Sequence, residues 1–393
     1  MPEIEIPVGP QHPALKEPIR FVFRIDGEIV VGAEPRLGYA HRGIEKLGEH
    51  RSYVQVLYLS ERICGICSVA HTTCYVETAE RLFNIEIPPR AKFIRVIVSE
   101  LNRIHSHLLW LGILAHEIGF DTLFMYTWRD RELVLDLLEM ITGNRVLYAI
   151  NMIGGVRHDI TNEMVDKIRK VMDYLEERTK YYKRVVQEDP LMLARLSEVG
   201  ILSRSDAQKL CAVGPTIRGS GVKTDIRKED PYAAYDEIPF NIITYTEGDA
   251  LAKTLVRVDE IQESINIIRY ALDHMPSGNI NIRVPLRPSP GEAIGRVEAP
   301  RGELFYYIRS DGSERPYRFK VRTPTLANIP ALCKMLEGVY VADIPVVVAS
   351  IDPCIACMDR VLLIDTNKGT WNILTGEELR RYSKKWYEKH KIR

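Results

Sequence analysis

The sequence predicts a mainly α fold, a bundle of long helices with small peripheral β-sheets. Three observations lead there. Apolar residues recur three or four apart through most of residues 51–275, the spacing of helices with a buried face. Several of these stretches run past the usual dozen residues of a globular helix, and long helices pack side by side as bundles. Alternation of apolar and polar residues, the mark of strands, is confined to short segments outside that region.

Taken in order, residues 18–32 alternate around Asp26-Gly27 and read as a hairpin. Residues 51–83 carry helical spacing throughout. Residues 89–118 begin at Pro88-Pro89-Arg90 and set Phe93, Val96, Ile97, Leu101, Ile104, Leu108 and Leu111 on helical spacing. A helix over 129–142 stops at Gly143-Asn144, one over 161–187 starts at Thr161 as its cap, and one over 249–274 runs from Asp249 to the break at Met275-Pro276-Ser277-Gly278. Residues 276–302, rich in Pro and Gly, read as extended loop. Segments 303–308 and 317–322 flank Asp311-Gly312 as a second hairpin. Past Arg360 come a strand-like 361–365, a turn at Asn367-Lys368-Gly369 and a basic amphipathic helix from about Gly376. The expectation is one domain over 1–393. It has an N-terminal β element and loop (1–50), a helical bundle (51–275), a loop and β region with the second cysteine pair (276–360) and a tail (361–393).

Lys and Arg number 53 and Asp and Glu 53, so the basic excess of a nucleic-acid binder is missing. The start, Pro2 to Pro10, mixes prolines and acids unlike a signal peptide, and no run approaches the roughly 20 apolar residues of a membrane span. The expected state is soluble, or peripheral in a larger assembly. Abundant charge with few Gln leans toward a thermophilic host.

Seven cysteines are present. Cys74, Cys211 and Cys333 stand singly among apolar neighbours and read as buried, inert thiols. The other four form two C-x-x-C pairs, Cys64/Cys67 and Cys354/Cys357. Without a secretion signal, such pairs point to metal or redox chemistry. A zinc ribbon sets its pairs within roughly 20 residues of each other, whereas 286 residues lie between Cys67 and Cys354. A thioredoxin-like site needs only one pair. One four-sulfur site closed by both ends of the chain fits best, with structural zinc as the plainer alternative.

Arg62-Ile63-Cys64-Gly65-Ile66-Cys67 with His71, and Asp352-Pro353-Cys354-Ile355-Ala356-Cys357 with Arg360, resemble the two cysteine motifs of the nickel-iron hydrogenase large subunit. Gly9-Pro10-Gln11-His12-Pro13, Arg103-Ile104-His105-Ser106-His107, Gly154-Gly155-Val156-Arg157, Arg218-Gly219-Ser220-Gly221 and Ala299-Pro300-Arg301-Gly302-Glu303 extend the likeness over essentially the whole chain. They resemble the branch shared by energy-converting membrane-bound hydrogenases and the 49-kDa quinone-site subunit of complex I. The resemblance implies the hydrogenase large-subunit fold. It also implies a nickel-iron centre, with Cys64 and Cys354 as terminal nickel ligands and Cys67 and Cys357 bridging to iron. By the same likeness Glu17 matches a proton-relay carboxylate, Arg301 an arginine over the iron's diatomic ligands, and His71 a histidine beside a bridging sulfur. Each has a plainer reading on its own: a surface acid, an ion-pair partner, a core histidine.

Two departures stand out. Hydrogenase large subunits are trimmed just after the residue matched by Arg360, whereas this sequence runs on from Val361 to Arg393. Complex I places a quinone-binding tyrosine where Gly65 stands. Hydrogenase cysteines with an uncut tail resemble the membrane-bound sulfane reductase of hyperthermophilic archaea. That likeness implies polysulfide reduction by the four cysteines, with Arg62 and Arg301 stabilising the anionic product. Hydrogen evolution and a non-catalytic, complex I-like coupling role are the alternatives. The implied partners are an iron-sulfur small subunit whose 4Fe-4S cluster delivers electrons, further hydrophilic subunits, membrane ion-pump subunits, and reduced ferredoxin as donor. No nucleic acid is among them. The implied location is the cytoplasmic side of the membrane.

Overall fold

The computed structural model describes residues 4–13, 15, 17–358, 364–365, 370–371 and 376–390. The strands are β1 (Ile4–Val8), β2 (Arg20–Asp26), β3 (Ile29–Arg36), β4 (Asn151–Met152), β5 (Gly155–Val156), β6 (Gly291–Ala299), β7 (Gly302–Ser310), β8 (Arg318–Arg322), β9 (Ile364–Asp365) and β10 (Thr370–Trp371). The helices are α1 (Ile44–Gly48), α2 (Tyr53–Glu61), α3 (Ser68–Phe83), α4 (Pro89–Glu117), α5 (Asp121–Thr142), α6 (Asn162–Glu188), α7 (Pro190–Leu196), α8 (Arg204–Lys209), α9 (Pro215–Arg218), α10 (Ile226–Glu229), α11 (Ala250–His274), α12 (Pro324–Met335), α13 (Ile344–Ser350) and α14 (Gly376–His390). A 3₁₀ turn spans Ile355–Cys357.

The mainly α class is as the sequence predicts. α4 is the axis of the bundle, packed against α5, α11, α3 and α13, while α6 lies on α11 and α5. It is buried on nearly every face, which explains why its apolar spacing is interrupted by Arg95, Glu100, Arg103, His105 and His107, all of them inside. Helix starts with a side-chain cap fall where expected. Thr161 accepts from Met164 N and Asp249 from Ala252 N. α5 begins eight residues before the predicted 129, at Asp121, because no side chain caps it and the sequence carries no start signal there.

Residues 51–83 do not form one helix. Arg62–Cys67 break it into α2 and α3, so the first cysteine pair sits on a loop at the N-terminus of α3. Apolar spacing runs through this loop because Ile63, Cys64 and Cys67 are core residues without being helical.

The predicted hairpin at 18–32 is β2–β3, joined by β1 in an antiparallel sheet. The segment 276–302 is only partly loop: Gly291–Ala299 is β6, fully paired with β7 from Gly291↔Ser310 to Ala299↔Gly302. Gly291 and Gly295 are strand residues of β6 rather than marks of a loop. Gly295 is there because β6 lies on α3, and a Cβ at that position would come 2.2 Å from Thr78 Oγ1. β9 and β10 pair antiparallel, and α14 follows. Cys74 is buried as expected, but Cys211 is exposed and Cys333 half-buried. Cys211 lies in the turn after α8 and Cys333 on α12, and apolar neighbours in sequence do not ensure cover at either. No described helix is long and apolar enough to cross a membrane.

Candidate metal centre

The two ends of the chain meet. Cys64 Sγ lies 3.4 Å from Cys354 Sγ, and Cys354 Sγ lies 3.0 Å from Cys357 Sγ. Cys67, His71 and Cys357 form an adjoining group with ligand atoms within 4.8 Å of one another. All four cysteines are buried. The loop at Arg62–Cys67 presents Cys64 Sγ to the Ile66 and Cys67 amides at 3.3 and 3.2 Å, a small nest that favours a thiolate. Cys354 precedes the 3₁₀ turn and Cys357 ends it, with Cys357 N bonded to Cys354 O.

Negative charge concentrates on one sulfur. Hydrogen bonds from Cys354, Cys357 and Cys67 converge on Cys64, and with Arg301 nearby they hold it well below the usual thiol range despite burial. Cys357, donating to Cys354, Cys64 and Cys67 in a buried site, is pushed well up. For Cys67 and Cys354 the bond with Cys357 pulls down, but donation to Cys64 and burial win. A buried pocket thus tolerates about one thiolate until a cation enters. The donor set fits a soft metal. Sulfurs around a tetrahedral four-thiolate ion stand about 3.8 Å apart for bonds of about 2.3 Å. The separations here need to open by less than 1 Å.

Arg301 sits in the two-residue turn between β6 and β7 and is buried. It donates Nε to Asp352 O at 2.7 Å, Nη2 to Asp352 Oδ1 at 2.7 Å and Nη1 to Ser106 Oγ at 3.3 Å. Asp352 has φ 55°, in the left-handed region, and Arg301 grips both its oxygens two residues before Cys354. Gly214 (φ +66°) backs this turn, and its Cβ would stand 2.4 Å from Arg301 O. Gly214→Ala is therefore expected to destabilise the chain by about 2–3 kcal/mol and to displace Arg301, read as a lowered melting temperature with reduced metal retention.

Glu17 reaches the second pair through the backbone: its Oε2 accepts from Ile355 N and from Ala356 N, the latter at 3.0 Å. His71 shares a 2.8 Å hydrogen bond between Nδ1 and Tyr306 OH, with Nε2 3.8 Å from Cys357 Sγ. Burial takes His71 down to about 4, so it is neutral at pH 7. Arg62 is not brought to the sulfurs. Its side chain is 55% exposed and its Nη1 bonds Tyr58 O. Arg360 lies outside the described residues.

Sequence reasoning missed Arg42 and Glu117. Arg42 donates to Arg62 O and Ile63 O at 2.9 Å and to Ala356 O at 2.7 Å, tying the two cysteine loops together. Nothing in its local sequence announces this. Glu117 lines a cavity of about 330 Å³ beside the cysteine loops, with Glu17, Arg301 and Asp352 the other charged groups in an otherwise largely apolar wall that includes Trp110 and Trp128. It ends α4, where a carboxylate opposes the helix dipole, and that misfit was the available signal.

Buried thiols from both chain ends, a locked arginine and a carboxylate held against the cysteine turn, carried on a long-helix bundle, define a redox large subunit. The chain belongs to the family of the respiratory-chain NADH dehydrogenase 49 kDa subunit and the nickel-dependent hydrogenases: the first family's model matches residues 117–288 and 282–360, the second's residues 42–116. It is 42% identical to the membrane-bound hydrogenase subunit alpha of Pyrococcus furiosus, over 97% of this chain and 92% of that protein. It is 39% identical to an NADH-quinone oxidoreductase subunit of Rhizobium etli, over 91% of this chain and 96% of that one. In structure it is similar to a chain of the membrane-bound sulfane sulfur reductase, an archaeal respiratory membrane complex, with a TM-score of 0.87, 34% identity and coverage of 91% and 98%. It is thus an oxidoreductase-family large subunit of the kind found in membrane-bound, complex I-like assemblies.

Proposed function

We propose that this chain is the catalytic large subunit of an energy-converting hydrogenase that evolves hydrogen with electrons from reduced ferredoxin. The observation that carries the reading is the convergence of four buried thiols from opposite ends of the chain. The 42% identity to a membrane-bound hydrogenase subunit supports it. Cys64, Cys67, Cys354 and Cys357 would hold a nickel-iron centre, which supplies the redox chemistry that joins electrons to protons. The tail after Arg360 does not weigh against this, since a translated sequence includes whatever later processing removes.

The chain's own residues handle charge. Arg301 offsets thiolate charge, with Asp352 fixing its position. His71 stays neutral and orients against Tyr306. Glu17, with one oxygen engaged by the Ile355 and Ala356 amides, faces the cavity and carries protons to and from the cysteine turn. Glu17→Gln keeps an acceptor for those amides but carries no proton. It is expected to lower turnover about 100-fold with nickel content unchanged, measured by hydrogen evolution and elemental analysis of the same sample. The partners in this reading are an iron-sulfur small subunit with a 4Fe-4S cluster, further hydrophilic subunits and membrane ion-pump subunits. The chain itself is peripheral on the cytoplasmic face.

The second reading is polysulfide or sulfane sulfur reduction, which the sequence reading ranks first. The likeness to a sulfane sulfur reductase chain favours it, as does sulfur spacing short enough for thiol–disulfide exchange. One nickel per chain with hydrogen as product supports the hydrogenase. Turnover of polysulfide by nickel-free complex would overturn it. In a purely coupling subunit, replacing Cys64 or Cys354 would leave turnover intact.

A further inference from the structure

On the other side of the β6–β7 turn lies a second cavity, of about 300 Å³, whose wall includes Cys211, Gly214, Glu229, Glu298 and the ion pair of Glu303, opposite Glu298 on β7, with Arg322 on β8. Glu298 is the penultimate residue of β6, three before Arg301. Its Oε1 accepts from Arg218 Nη1 at 2.7 Å and its Oε2 from Ile226 N at 3.2 Å. Its carbonyl accepts from Arg103 Nη2 at 2.7 Å, and its amide donates to Tyr232 OH at 3.2 Å.

The cluster around it is unbalanced. Arg218 is shared by Glu298, Glu260 and Asp225, and Arg227 by Asp225 and Glu100, with Arg103 also on Glu100. Three guanidiniums therefore face four buried carboxylates. His107, which bonds Glu260, is taken down to about 4 by burial and adds no charge at pH 7. Arg257 stands near Glu260 and Asp352 but stacks on Trp110 and donates to Lys253 O, with no carboxylate among its hydrogen bonds. One carboxyl in excess of its cations, in a dry interior, is stabilised by a proton. Glu298 lines the second cavity. Burial pushes it up to about 7, with Asp225 adding to the rise and Arg218, Arg227 and Arg103 opposing it. Glu100 and Glu260 are held low by their arginines despite burial.

We propose that Glu298 is a proton-exchange site: it takes up and releases one proton through this second cavity, and its charge reaches the cysteine cluster through the β6–β7 turn and Arg301. Only a proton moves between water and the carboxylate, and no electron is needed. The inference does not depend on which substrate the cysteine site reduces. Glu298 acts as a positioning residue, since it does not touch the sulfurs.

Infrared titration of the full chain tests the exchange. Wild type should show a protonated-carboxyl C=O band that fades with a midpoint near pH 7 and is missing from Glu298→Gln. A band that persists in the variant, or that never titrates, overturns the assignment. Asp225→Asn, which removes the repelling charge, should move the midpoint to lower pH, and an unmoved midpoint counts against the proposal even if Glu298→Gln fails to fold. For the coupling, the intact complex should show a pH–rate limb at the same midpoint that flattens in Glu298→Gln. Superimposable profiles would overturn that half.

Discussion

Cys64→Ser is expected to empty the four-thiol site of nickel and to lower hydrogen evolution at least about 1,000-fold, with the fold kept. Cys64 is the sulfur on which three thiols and two backbone amides converge, which favours its thiolate over those of the other three. A serine hydroxyl has nearly the same shape, so packing loss is small, about 1 kcal/mol or less. Its oxygen is hard and stays protonated, and soft metals discriminate strongly against it. Cys74→Ser is the control. Cys74 is as buried, but it donates to Gly295 O and Leu304 O, away from the other sulfurs. That variant should retain nickel and turnover. Elemental analysis, hydrogen evolution and a melting curve on both proteins check the pair. Equal nickel in the two variants would break the assignment of Cys64 as a ligand.

How much of this was legible in the sequence depends on the kind of physics behind each feature. Helix starts at Thr161 and Asp249 were readable because a cap is local chemistry written in one residue. The convergence of the cysteine pairs was readable because a four-sulfur site has few other ways to form. β6 was not, because Gly295 answers to Thr78 on another element rather than to its own strand. The break at Arg62–Cys67 was hidden because burial without helical geometry gives the same apolar spacing as a helix. Arg42 was invisible for a related reason. Its job is defined by carbonyls at Ile63 and Ala356, and a carbonyl leaves no trace in residue identity. The motif residues Arg62 and Arg301 show both outcomes. Each has a cysteine pair for a near neighbour in sequence or space, yet one guanidinium faces solvent and the other is locked to Asp352.

Arg218 ties α11, β6 and the turn before α10 together through three buried acids. Arg218→Met is expected to destabilise the protein by about 3–5 kcal/mol at neutral pH, because it leaves Glu260, Glu298 and Asp225 buried around a missing cation. These acids come from α11, from β6 and from the turn before α10, so the loss unties the bundle from the strand that positions Arg301. The pH dependence separates charge from packing. In the wild type Glu260 and Asp225 are held below their unfolded values against burial, Glu260 chiefly by Arg218 and Asp225 by Arg227 and then Arg218. Their stabilising contribution is present above about pH 4 and lost below it as they protonate. Glu298 runs the other way. The folded state keeps its proton up to about 7, whereas the unfolded chain releases it near about 4.3, so its contribution falls as pH rises through that window. Without Arg218 all three carboxyls shift upward and accept protons more readily. The gap between wild type and variant should therefore be widest at pH 8 and narrow toward pH 5, measured by urea unfolding across that range. A gap of constant size would mean that Arg218 contributes only its packed volume, and that the buried charges are balanced by groups other than the three acids that touch it.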